Sequence, residues 1–171
     1  MKKHLEGIRV VDLTAYLSGP YSSMNLAALG AEVIKIERPG VGDPCRWNPP
    51  FAGPHGVSFE RQDDTDISLL YLKRNRNKKS IFLDLQKDKG KEILGRLIEK
   101  SDIVLENFTP GVMDRLGFSY ERLTEINPRI IYCSISGYGQ DGPFRDRPAF
   151  DLTIQATSGV NDVLFAGGRR P

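Results

Sequence analysis

The chain has 171 residues, enough for one domain with a real core, and its 39% hydrophobic and 27% charged content is that of an ordinary soluble globular protein. A formal net charge of +2 gives no field strong enough to argue for nucleic acid or membrane as a partner. No apolar run approaches the roughly 18 residues of a membrane span, and MKKHLEG carries a basic pair with no apolar stretch behind it, so a secretory leader is not expected.

The first segment, Gly7 to Gly40, reads as one strand–helix–strand unit. Ile8, Val10, Val11 and Leu13 form an apolar run bounded by Gly7 and the Thr14 to Gly19 loop, which suits a buried parallel strand. Pro20 is expected to open a helix capped by Ser18 or Gly19. Met24, Leu26, Ala27 and Leu29 give it an apolar surface, and Gly30 supplies the left-handed residue at its end. A second strand over Glu32 to Glu37 places Ile34 and Ile36 on one face and Lys35 on the other, until Pro39-Gly40 stops it. Such a unit favours a right-handed crossover, with ligands held beyond the carboxyl ends of its strands, where the Thr14 to Gly19 loop and Arg38 fall. Glu37 occupies a plausible ribose-binding place. The turn, however, carries Ser-Gly-Pro and lacks G-x-G-x-x-G, so the dinucleotide fingerprint is missing.

Residues 41–70 are rich in Pro and Gly and are expected to form a long irregular loop, with Trp47, Phe51 and Phe59 packing part of it onto a neighbour. Two readings stand open, a covering loop without chemistry and a lid over a ligand. Lys73, Arg74, Arg76, Lys78 and Lys79 then crowd ahead of a short strand, Ser80 to Leu85. Such a cluster is either a solvated face or a holder for a phosphate-rich ligand. The helix over Lys87 to Lys100 is amphipathic, with Ile93, Leu94, Leu97 and Ile98 recurring at helical spacing. The strand Asp102 to Glu106 runs into Asn107-Phe108-Thr109-Pro110-Gly111, again a strand's carboxyl end. There Asn107 either meets a ligand or only caps a turn. Short helices follow at Val112 to Leu116 and Ser119 to Ile126, then a strand from Arg129 to Ser134. Gly137, Gly139 and Gly142 either let the backbone approach a ligand closely or simply make turns, and Asp151 is placed to cap a helix over Leu152 to Thr157. The chain continues through Asn161 to Phe165 and ends at GGRRP.

Cys45 and Cys133 are isolated and form neither a disulfide framework nor a metal knuckle, so the cytosol is the default compartment. His4 and His55 lack ligand spacing and are expected at the surface, and no metal is expected.

Taken together, LEGIRVVDLT, SGPYSSMNLAALGAEVIKIERPGVGD, NRNKKSIFLDL, ENFTPGVMDRLGFSYERLTEINPRIIYCSISGYGQDGP and RPAFDLTIQATSG resemble the class III CoA-transferase family from about Leu5 to about Gly159. The resemblance implies a Rossmann-like α/β fold, a mainly parallel sheet flanked by helices, incomplete relative to the family. It treats residues 1–171 as one partial N-terminal CoA-binding domain, with 41–70 as a loop insertion and 160–171 as a truncated continuation. It implies no permanently bound cofactor, coenzyme A or acyl-CoA as substrate, a small carboxylic acid as the other substrate, and an interlocked homodimer at full length. Carried over position by position, the CoA-binding residues are Leu17 and Ser18 near the thioester and Arg38 at the nucleotide end. Leu83, Asp84, Leu85 and Gln86 form an adenosine-side wall, Asn107, Phe108, Thr109 and Arg115 lie along the cofactor, and Arg147, Phe150 and Asp151 belong to a further segment touching CoA. Leu17 stands where formyl-transferring members keep glutamine, which speaks against formate and oxalate chemistry. Phe150 stands where related racemases keep histidine, which speaks against racemisation. Family members attack the thioester with an aspartate in a Gly-Asp followed shortly by Gly, well downstream of the RPAFD-like segment, a pattern with no match before Pro171, so no catalytic residue is expected within the chain. Two further readings remain beside the CoA-transferase: a non-catalytic CoA-binding or assembly fragment, and, more distantly, a nicotinamide-dependent oxidoreductase.

Overall fold

The computed structural model describes residues 3–165; GGRRP therefore lies outside the described residues. The chain separates into two compact units, residues 1–135 and 136–171.

In the first unit β1 (Arg9–Asp12), β2 (Glu32–Glu37), β6 (Lys78–Phe82), β7 (Ile103–Glu106) and β8 (Ile131–Ser134) form one sheet in the order β6-β2-β1-β7-β8. Every pairing in it is parallel. The chain therefore builds outward from β1 in one direction and then returns to β1's other side with β7. That reversal leaves a crevice at the carboxyl ends of the strands.

Side-chain alternation along the strands divides the core in two. Val10, Val33 and Leu105 pack with Ala27 and Ala31 on the side of α1 (Ser18–Ala28). Val11, Leu13, Ile36 and Val104 pack on the other side, against Leu94 and Ile98 of α3 (Asp88–Glu99), Met113 and Leu116 of α4 (Val112–Leu116), and Leu123 of α5 (Tyr120–Ile126). The helix α1 approaches through small residues: Gly19, Ser23 and Ala27 recur every fourth position and all are buried. A Cβ on Gly19 would lie 2.3 Å from Thr14 Cβ, so that row has no room to spare.

The elements differ from expectation in a few places. The helix α1 begins at Ser18, two residues before Pro20, and its cap residue, Leu17, makes no side-chain cap bond. Leu29 and Ile93 are exposed, while Gly30 does take the positive φ, +109°, that the helix end requires. Residues 41–70 are not irregular. They hold a 3-10 turn over Pro44–Trp47 and an antiparallel sheet of β3 (Phe51–Gly53), β4 (Gly56–Ser58) and β5 (Ile67–Ser68), strands too short to show a period in sequence. Phe51 is buried there, but Phe59 is exposed. An unexpected helix, α2 (Leu69–Asn75), capped by Ser68 Oγ on Tyr71 N–H, occupies the start of the cationic run.

The second unit contains α6 (Asp151–Thr157) and α7 (Val160–Phe165). Asp151 is the first helical residue and not the cap, which is Phe150; the Asp151 carboxylate accepts a bond from Gln155. No helix among the described residues is long and apolar enough to cross a membrane.

Candidate functional site

The carboxyl ends of β1, β2 and β6 open onto a cleft of about 310 Å³. Its apolar walls are Leu13 and Ile36 at the strand ends, Leu83 and Leu85 after β6, and Phe108, Val112 and Leu116 across from them. Polar groups sit at the floor and rim: Thr14, Lys35, Glu37, Asp43, Asp84, Gln86 and Arg38. Ile34, Ile36 and Arg38 share one face by strand alternation, which is why the cation after β2 reaches this side. Arg38 is exposed, and among the described residues its guanidinium has no ion pair.

Glu37 is the opposite case. It is buried, and its two oxygens take five donors: Arg46 Nη2 (2.8 Å), Tyr71 Oη (2.9 Å) and Ser80 Oγ on Oε1, and Arg46 Nε (2.7 Å) and Asp43 N (2.8 Å) on Oε2. Arg46 also lies 3.8 Å over the Tyr71 ring. Burial by itself would push the Glu37 carboxyl up, but the bonds from Arg46, Ser80, the Asp43 N–H and Tyr71 outweigh it and hold the group at about 2. Tyr71 is pushed up, first by burial and then by the Glu37 charge.

A second buried polar group lies under the loop after β1. Asp12 Oδ2 accepts from Ser23 Oγ (2.6 Å) and Lys78 Nζ (3.0 Å), and Lys78 completes its shell with Pro20 O (2.9 Å) and Asn75 Oδ1 (2.7 Å). Burial pulls the Lys78 ammonium below its ordinary value, against the opposing pull of Asp12. Lys35 Nζ donates to Thr14 O (2.6 Å) and forms an ion pair with Asp43 Oδ2 at 2.9 Å, an oxygen that otherwise takes no hydrogen bond.

Of the residues expected to bind, Arg38, Leu83, Asp84, Leu85, Gln86 and Phe108 line the one cleft. Asn107 stands beside it with both ends of its amide engaged, Oδ1 accepting from Ala15 N and Nδ2 donating to Ala15 O, each at 2.8 Å. It ties the end of β7 to the end of β1. Leu17, Ser18, Thr109 and Arg115 are exposed and outside the lining. In the second unit, Arg147 lies 4.1 Å over the Phe144 ring and Phe150 is exposed. Three cations of the run turn to separate partners, Lys78 to Asp12, Lys79 to Glu32 and Arg74 to Cys45 Sγ (2.9 Å). Lys35 and Asp43 were not anticipated as cleft residues, and Glu37 only as a ribose acceptor. Their signal was present in the strand alternation and in the Gly42-Asp43-Pro44 turn.

One residue in the wall permits its shape. A Cβ on Gly90 of α3 would lie 1.9 Å from the Asp84 carbonyl oxygen, which is backbone and has no side-chain freedom to yield. Gly90→Ala is expected to lower stability in urea unfolding by about 1–3 kcal/mol through forced backbone movement, although alanine is otherwise the better helix former. Unchanged or raised stability would show that the Asp84 carbonyl does not confine α3.

A family model described as CoA-transferase family III matches residues 5–171. The chain belongs to that family. It is 46% identical over 162 residues to the succinyl-CoA:glutarate CoA-transferase of Homo sapiens, covering 94% of this chain and 34% of that protein. It is 45% identical over 159 residues to the acetyl-CoA:oxalate CoA-transferase of Acetobacter aceti, covering 93% and 38%. A crystal structure of a CAIB/BAIF family protein from Brucella suis superposes with a TM-score of 0.84 at 39% identity, covering 95% of this chain and 41% of that one. The chain thus spans about a third of the length of these curated CoA-transferase relatives.

Proposed function

We propose that residues 1–171 supply the coenzyme A-binding portion of a CoA-transferase that moves CoA between an acyl-CoA and a small carboxylic acid. The observation that carries this reading is the contrast at the end of β2. Glu37 is saturated by five donors, more than the roughly four lone-pair sites of a carboxylate, while the neighbouring Arg38 has no counter-charge among the described residues on the rim of an apolar slot. An apolar slot suits a flat base and an unpaired guanidinium suits a phosphate, the two features of an adenine nucleotide carrying extra phosphate. In this reading Leu83 to Gln86 and Phe108 flank the base and Arg38 meets phosphate. Leu17, Ser18, Asn107, Thr109 and Arg115 are assigned further along the cofactor in this reading. The reaction would pass through an aspartyl-acyl anhydride: a carboxylate oxygen bonds to the thioester carbonyl carbon, the C–S bond breaks, and CoA leaves as the thiolate. The attacking aspartate belongs to none of these 171 residues. The complete protein is proposed to act in the cytoplasm as an interlocked homodimer.

The nicotinamide reading is weakened by the same contrast. An acidic residue at the end of the second strand serves a dinucleotide by accepting from the ribose hydroxyls, and Glu37 has no free acceptor to offer. The alternative of a non-catalytic CoA-binding or assembly fragment predicts the same cleft and differs only in lacking acyl transfer.

Calorimetric titration tests the CoA site that the first and last of these readings share and the nicotinamide reading lacks. CoA is expected to bind the chain, and Arg38→Ala is expected to weaken it about 10- to 100-fold, the worth of a hydrogen bond to a charged group, while adenosine, which has no phosphate, binds both proteins alike. A folded chain that ignores CoA, or an equal loss for adenosine, would remove Arg38 from phosphate recognition.

A further inference from the structure

Strand alternation sends Val104 and Glu106 of β7 to the same face, the side on which α3, α4 and α5 pack. Val104 joins the apolar core there, but Glu106, only 3% exposed, brings a carboxyl group to its edge. Among the described residues no cation pairs with it. A buried carboxyl group without a counter-charge is unfavourable unless hydrogen bonds offset the loss of water, and an apolar side chain would fill the same space without that cost. The two oxygens of Glu106 go to two donors: Oε2 accepts from the Phe108 N–H (2.6 Å) and Oε1 from Tyr132 Oη (2.8 Å). Burial, and then the bond to Glu106, push the Tyr132 hydroxyl up, so it remains a donor at neutral pH. Tyr132 is held in turn, packed against the core with its ring stacked on Tyr120 of α5 at 6.3 Å between centroids.

The residue gripped in this way is the one that lines the cleft. Phe108 stands two positions beyond Glu106, half-buried, in the wall across from Leu83 and Leu85, whereas Glu106 itself lies outside the lining. Between them, Asn107 is fixed to Ala15 through both ends of its amide. Glu106 closes the same turn from the other side, tying the main chain of Phe108 back to the strand, so that Phe108 is held by its backbone and not only by the contacts of its ring. We propose that Glu106, set in place by Tyr132, is a positioning residue for ligand, holding Phe108 as one wall of the slot that takes the base of coenzyme A. This rests on the CoA-binding reading of the cleft, and it gives a buried acid outside the lining a measurable share of nucleotide affinity. The partner Tyr132 comes from β8, so the placement of that wall depends on the pairing of β7 with β8.

Calorimetric titration of adenosine and CoA into the 171-residue chain, with thermal melts alongside, tests this. Glu106→Ala is expected to weaken adenosine and CoA by the same factor, about 5- to 10-fold, and Tyr132→Phe by about 2- to 3-fold, the loss of one hydrogen bond passed on to the ring. Glu106→Gln, whose amide oxygen still accepts from the Phe108 N–H while its NH2 group meets the Tyr132 oxygen, should bind within about 2-fold of wild type. A Phe108→Ala background supplies the readout that a merely structural role would not move: there, Glu106→Ala and Tyr132→Phe should no longer change CoA affinity. Should Glu106→Ala melt below the titration temperature, Tyr132→Phe, which keeps the ring and its packing, decides alone. Wild-type affinity in folded Glu106→Ala or Tyr132→Phe, or a loss of equal size with and without the Phe108 ring, overturns the positioning role while leaving the cleft as a CoA site. If wild type binds neither ligand, the cleft assignment itself falls, and the role of Glu106 with it.

Discussion

Asp12→Ala is expected to cost about 3–5 kcal/mol in urea unfolding, because it leaves a buried ammonium without its counter-charge. Lys78 is 1% exposed in its side chain and Asp12 0%, so neither charge can recover water without local opening. Asp12 also accepts from Ser23 Oγ of α1 and from both the N–H and the hydroxyl of Thr14, so the variant removes the acceptor of three further donors at the helix–sheet junction. The partner change, Lys78→Met, leaves Asp12 with its hydroxyl and backbone donors and is expected to cost less. Combining the two removes both charges, and the double variant should be more stable than Asp12→Ala alone. Simple addition of the two losses would mean that the ion pair is not what holds β1, β6 and α1 together.

That pair illustrates which parts of the molecule the sequence could disclose. Leu94 and Ile98 repeat at helical spacing and both are fully buried, so α3 was legible to within a residue at each end. The strands β2 and β7 were legible for the same reason, being short apolar runs closed by loop residues. Lys78 was not. It stands in a dense run of cations that reads as a solvated face, and only the pairing of β6 with β2 and of β2 with β1 brings it over Asp12, 66 positions away. The helix α2 hid in that same run, although Tyr71 and Asn75, its buried residues, are four apart and gave a faint helical signal.

The cleft divides along the same line. Arg38 and Phe108 were accessible because each follows a strand, and the carboxyl end of a strand in a parallel sheet is where binding groups collect. Asn107 follows a strand too, but both ends of its amide are consumed by Ala15 at a separation of 92 residues, which no local pattern encodes. Its part is to fix the β1 loop, and through that loop the floor of the cleft.

Glu37→Gln is expected to lower stability by about 3 kcal/mol near pH 6, and the size of that loss should depend on pH in a defined sense. The group's value falls from 4.5 to about 2 on folding, because Arg46, Ser80, the Asp43 N–H and Tyr71 together overcome the upward push of burial. A carboxylate depressed in the folded state contributes stability that is fully present above its unfolded value and is lost as pH falls through the folded one. The window here therefore runs from about 4.5 down to about 2. At about 1.4 kcal/mol for each tenfold change in proton affinity, the contribution is about 3 kcal/mol. Glutamine imitates the protonated acid in shape, so the stability difference between wild type and Glu37→Gln should shrink as acid is added and approach zero near pH 2. Other acidic groups titrate in the same range in both proteins and cancel in the difference. A gap that stays constant from pH 6 to pH 2 would mean that the Glu37 charge contributes nothing, and that the loss comes only from mispacking beside Tyr71. A gap that closes would tie the acid limb of unfolding to the cluster that occupies both oxygens of Glu37.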